Sequence, residues 1–135
     1  MDFRLDDDQR QFRDAIRDFC DNEIAPKAAW RDEHARFEDG LVAKLGEMGL
    51  FGTYIPSAYG GAGLDCVTYA IMVEELSRAC GATGILVSAH HSLAVDPILH
   101  FGTETQKQKH LPKMATGEWK VRMSSGRAKS IVITR

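Results

Sequence analysis

Two adjacent histidines, His90 and His91, sit among Ser88 and Ser92 in the most apolar stretch of this 135-residue chain. A histidine pair raises the question of a metal. On a helix, however, neighbours point roughly 100° apart and cannot share an ion as an i,i+4 pair does. No nearby His or carboxylate completes a ligand set, so no metal site is expected. The serines and the three cysteines (Cys20, Cys66, Cys80) have no elbow or triad around them. Gly60-Gly61-Ala62-Gly63 suggests a phosphate loop, but position 66 is cysteine where a dinucleotide fingerprint needs glycine. No buried strand precedes it and no lysine follows as in a P-loop. A tight turn before a helix is the expectation. The expected chemistry is binding: one histidine as a hydrogen-bonded interior group, the other lining a cavity with Ser88 and Ser92.

The elements that hold these residues read as helices. Phe12, Ile16, Phe19, Cys20 and Ile24 share one face of a first helix, with Asp6, Asp7 and Asp8 at its N-terminus and Pro26 ending or bending it. A second spans about Glu38–Met48, with Gly49 as its stop. Asp65 caps a third, in which Tyr69, Val73, Leu76 and Cys80 form a stripe and Glu74, Glu75 and Arg78 face outward. A fourth, about Thr83 to His100, is apolar nearly all round and therefore buried; Pro97 predicts a kink near Val95–Asp96. The fifth opens with a capping box, Thr103 to Gln106, and ends near His110 before Pro112. The cysteines, each at or inside a helix, read as small buried hydrophobes.

Composition agrees with a folded domain: 44% hydrophobic and 27% charged residues, long enough for a core without staples. The formal net charge of −2 conceals an asymmetry. Residues 120–135 hold five basic side chains and no acidic one, so the remaining 12 basic and 19 acidic leave the body at −7. An acidic body excludes non-specific nucleic-acid binding. Three cysteines without a CxxC pair exclude a disulfide framework. The N-terminus has no apolar signal core, and no apolar run reaches the roughly 18 residues of a membrane span. The expected compartment is the cytoplasm or mitochondrial matrix rather than the exterior. The fold class is all-α, an orthogonal or irregular bundle of about five helices. Residues 1–119 are the domain and 120–135 a divergent basic tail with one strand-like run, Ile131–Thr134.

Three segments in order, LDDDQRQFRDAIRDFCDNEIAP, LGEMGLFGTYIPSAYGGAGLD and YAIMVEELSRACGATGILVSAHHSLAVDPILHFGTETQKQKHLPKMATGEW, closely resemble the N-terminal helical domain of the acyl-CoA dehydrogenases. The likeness is strongest to the short-chain, butyryl-type branch and covers residues 3–119. It implies a flavoenzyme that removes hydrogens from the α and β carbons of an acyl-CoA: a glutamate takes the α-proton, FAD accepts the β-hydride, and an electron-transfer flavoprotein takes the electrons. The family subunit adds a β-domain and a C-terminal helical domain and usually forms a homotetramer. By the match, Val87, Ser88, His91 and Ser92 line the far end of the acyl pocket. From Lys120 onward the family's flavin-contacting loop has no counterpart, and neither has the glutamate base. The resemblance therefore implies a truncated product, with a tail from a frameshift, a pseudogene-like reading frame or altered splicing. The chain alone is then expected to hold no FAD and to have no activity. The alternative is a helical interaction module that self-associates or binds full-length subunits through the face the missing domains would cover.

Overall fold

The computed structural model describes residues 4–123 and 131–134. Its helices are α1 (Asp7–Phe19), α2 (Ala28–His34), α3 (Leu41–Glu47), α4 (Cys66–Ala79), α5 (Gly81–Ala89), α6 (Asp96–Phe101) and α7 (Glu104–Ala115). Two strands, β1 (Lys120–Met123) and β2 (Ile131–Thr134), pair antiparallel with Lys120 opposite Thr134 and Met123 opposite Ile131. The strand-like run of the tail is thus β2. Arg127, Lys129 and Arg135 of the basic tail lie outside the described residues.

Helix starts follow local chemistry. The Asp6 carboxylate accepts from the Gln9 N–H at 2.8 Å while Gln9 returns a bond to the Asp6 N–H, a complete capping box. Asp65 Oδ1 accepts from Thr68 N–H at 2.7 Å. Thr103 and Gln106 close the expected box on α7.

The prolines depart from the sequence expectation only in part. Pro26 does not end the first helix; helical backbone runs on through a π-turn at Cys20–Ile24 and a 3₁₀ turn at Ala25–Lys27 into α2. At Pro97 the expected break near Val95–Asp96 is present: a π-turn at His90–Val95 separates α5 from α6, which starts at Asp96. A proline ring clashes with the carbonyl four residues earlier. Wider i→i+5 bonds, Ala25 N–H to Cys20 O and Asp96 N–H to His91 O, stand immediately before these two prolines. Pro112 lies inside α7, which continues to Ala115 rather than stopping near His110. Leu111, Met114 and Ala115 there bury themselves against Ile55, Ala94 and Val95, and this packing outweighs one lost hydrogen bond.

The core has two centres. One gathers Ile16, Cys20, Ile24, Leu45, Phe51, Met72, Leu76 and Val87 from α1, α3, α4, α5 and the intervening segments. The other is the α7 cluster just described. α4 is gripped by α1 on one side and α5 on the other. This reverses the expectation for Glu75: it is only 1% exposed, with Arg17 Nη2 at 2.6 Å and Arg78 Nε at 2.9 Å from its carboxylate. Arg78 also reaches Asp21 at 2.6 Å. Glu74 is exposed as expected. Cys20 and Cys80 are buried, but Cys66 opens α4 on the surface, contrary to its expected burial.

Gly84 sets the closeness of α5 to α4. A Cβ there would stand 2.9 Å from Ser77 Cα and closer still to its hydroxyl. Gly84→Ala is expected to push the helices apart and cost about 1–3 kcal/mol, measured as a fall in the urea midpoint. An unchanged midpoint would show the interface to be slack.

Candidate functional site

α5 and the following π-turn present two adjacent faces. Ile85, Ser88, Ala89, Ser92 and Leu93 recur at i, i+3, i+4, i+7 and i+8, one stripe of a helix. With Val73 and Ser77 of α4 they line a surface groove of about 340 Å³. Ser92 Oγ donates to the Ser88 carbonyl at 2.9 Å, and Tyr69 OH stands 3.5 Å from Ser88 Oγ. The groove is therefore apolar with a few hydroxyls, and no titratable side chain lines it.

Val87 and His91 occupy the other face and are both fully buried. The structure thus brings Ser88 and Ser92 together at the groove and turns Val87 and His91 into the core. The cause is helical geometry: two i,i+4 pairs offset by one residue point about 100° apart, and only one direction opens outward. The sequence reading missed Val73, Ser77, Ile85, Ala89 and Leu93. The stripe containing Ser88 and Ser92 could have revealed the three on α5 and the turn; Val73 and Ser77 depend on how α4 packs.

Both histidines are interior, not one. His91 Nδ1 lies 3.0 Å from Val87 O, and its ring sits between Tyr54 and Tyr69, with centroids 4.7 and 5.0 Å away. His90 Nε2 lies 3.1 Å from Met114 O, and its ring meets Phe51 edge-on. With these nitrogens donating to carbonyls, His90 Nδ1 and His91 Nε2 are left without partners. Burial, with His91 close by, lowers the His90 pKa to about 4; burial lowers that of His91 as well. Both rings are neutral at pH 7 and pack as polar members of the core. Tyr54 OH donates to Asp96 at 2.8 Å, and burial and that carboxylate push its phenol up.

Among the described residues no group of His, Cys, Asp or Glu is placed to hold a metal ion. The glycine turn does not fit a flavin diphosphate. Gly60 and Gly63 take φ of 80° and 64° to make tight turns, and a Cβ on Gly61 would lie 2.6 Å from the Ile55 carbonyl carbon. The loop packs against its own chain, and the next helix start is capped by the anionic Asp65, which repels phosphate.

The geometry defines a helical domain with a small, mostly apolar groove that no titratable side chain lines. Residues 6–118 match the family described as acyl-CoA dehydrogenase, N-terminal domain, and the chain belongs to that family. It is similar to the short-chain-specific acyl-CoA dehydrogenase of Clostridium acetobutylicum, 48% identical over 118 residues, which are 87% of this chain and 31% of that one. It is also similar to the butyryl-CoA dehydrogenase of Megasphaera elsdenii, with a TM-score of 0.84 and 33% identity over 96% of this chain and 35% of the other. A Bacillus anthracis acyl-CoA dehydrogenase solved in complex with FAD matches with a TM-score of 0.78 and 32% identity, over 93% of this chain and 22% of that one. The chain spans about a third of the length of the curated relatives it matches. No helix among the described residues is long and apolar enough to cross a membrane.

Proposed function

We propose that this domain serves α,β-dehydrogenation of short-chain acyl-CoA thioesters, with the Ser88–Ser92 groove forming part of the wall around the acyl tail. The observation that carries the reading is the groove itself: aliphatic side chains and hydroxyls with no ionisable group suit a hydrocarbon chain and supply no base. The family's use of FAD, and of an electron-transfer flavoprotein as acceptor, accompanies this reading. Proton abstraction and hydride transfer belong to parts of such an enzyme that this groove does not contain. The 135 residues alone are accordingly inactive and hold no flavin. Purification from a flavin-supplemented culture, followed by an absorbance scan and titration with butyryl-CoA, tests this. No 450 nm band and no substrate-dependent reduction are expected, and a stoichiometric flavin overturns the reading.

A second reading, self-association, rests on Ile85 and Leu93, which are 65% and 40% exposed beside the groove. Light scattering is then expected to show mass rising with concentration, and Ile85→Lys to abolish that rise. A wild-type chain that stays monomeric excludes it.

A further inference from the structure

A cavity of about 680 Å³, twice the volume of the groove, opens between α2 and the corner where α4 turns into α5. That size suits a small molecule. It shares only Ser77 with the Ser88–Ser92 groove, so the two are separate places on the domain. Ala28, Phe37 and Ala79 give its wall apolar surface, while three arginines, Arg31, Arg36 and Arg78, are set against one carboxylate residue, Asp32.

Two of the arginines are fixed in place. Arg31 is only 3% exposed; its Nε donates to Glu38 and its Nη1 to Ile24 O, both at 2.6 Å. Arg78 donates through Nε to Glu75 at 2.9 Å and through Nη2 to Asp21 at 2.6 Å. Glu38, Glu75 and Asp21 do not line the cavity; they anchor the cations from outside it. A guanidinium has five N–H donors, and these bonds leave donors over on both residues. The third arginine is placed differently. α2 ends at Ala35 in the left-handed conformation, with φ 49°, and Arg36 follows with its guanidinium 5.2 Å over the Trp30 ring. A cation stacked on a ring face keeps its N–H edge free. Arg36 pairs with no carboxylate among the described residues.

We propose that this cavity binds a small organic anion, its carboxylate or phosphate head on the arginines and its apolar body against Phe37 and the alanines. Donors outnumber acceptors along the wall, and guanidinium forks match both head groups. The ion pairs behind Arg31 and Arg78 hold those side chains before any ligand arrives, so little order is lost on binding. A cationic ligand would meet three like charges and a single opposite one. This lies outside the acyl-binding reading and does not depend on it.

The test uses the full 135-residue chain, titrated separately with benzoate, phenyl phosphate, benzyl alcohol and benzylamine and followed by amide NMR shifts. At least one of the two anions is expected to shift the amides of Ala35, Arg36, Gly81 and Ala82 saturably, and the tighter of the two identifies the head group. It should bind about tenfold more tightly than the alcohol or the amine. Arg36→Gln should weaken it about tenfold, and Asp32→Asn should strengthen it. Both positions are exposed, so the spectra of these variants should superimpose on wild type elsewhere. The proposal is overturned if neither anion shifts those amides saturably, if the shifts fall instead on Ser88 and Ser92, if the four probes bind alike, or if Arg36→Gln leaves the anion affinity unchanged.

Discussion

Glu75→Gln is expected to destabilise the domain by about 2–3 kcal/mol at pH 7, a fall in Tm of roughly 10 °C. Removing one partner of a fully buried ion pair costs about 3–5 kcal/mol, because the other charge stays behind. Here the carboxylate is 1% exposed but the guanidiniums of Arg17 and Arg78 are 48% and 43% exposed, so water takes up part of the loss. Glutamine keeps the volume and can accept one bond, yet it cannot satisfy two guanidiniums. The hydrogen bond from Arg17, followed by that from Arg78, holds the Glu75 carboxyl below the usual carboxylate range. A depressed carboxylate contributes stability above its unfolded pKa and loses it as pH falls through the folded value. Wild type should therefore lose more stability below about pH 4 than the glutamine variant does. Thermal unfolding followed by circular dichroism measures both. Equal Tm values at pH 7 would show that the three groups make no net contribution.

The second large effect lies in a higher pH window and belongs to His90. Its folded pKa, about 4, is below its unfolded value near 6.5, so the unfolded chain binds a proton that the folded chain refuses. Stability is complete above pH 6.5, declines as pH falls, and reaches its full loss near pH 4. The gap corresponds to about 3 kcal/mol, with His91 adding loss in the same direction. Urea unfolding at pH 7, 6, 5 and 4.5 should trace that decline, and His90→Gln, which cannot take up the proton, should flatten it. A wild-type curve level from pH 7 to 4.5 would mean that the ring is charged in the folded state or reaches water.

The two experiments probe the same property from opposite signs. Glu75 is an ionised group retained inside because two arginines reach it, whereas the histidines are retained inside by staying neutral. Both stand near the α4–α5 pair that carries the groove. Acid therefore threatens the platform of the groove although no titratable side chain lines it.

What the sequence determined by itself is what neighbours in the chain decide. Asp6, Asp65 and Thr103 cap their helices through bonds spanning three residues, and all three starts are readable from the order of side chains alone. The motifs from Gly81 to Trp119 likewise pointed to the family, and the Gly60–Gly63 turn was legible from its glycines. Only the tertiary structure decided which face of a helix turns inward. Glu75 sits on a stripe that looks solvated until Arg17, 58 positions away, closes over it. Val87 and His91 parted from Ser88 and Ser92 for the same reason: the pattern gives the faces, and only the packed partners choose between them. Pro26 and Pro112 failed to stop their helices because a π-turn and buried side chains offset the missing bond, a balance struck across the core rather than along the chain.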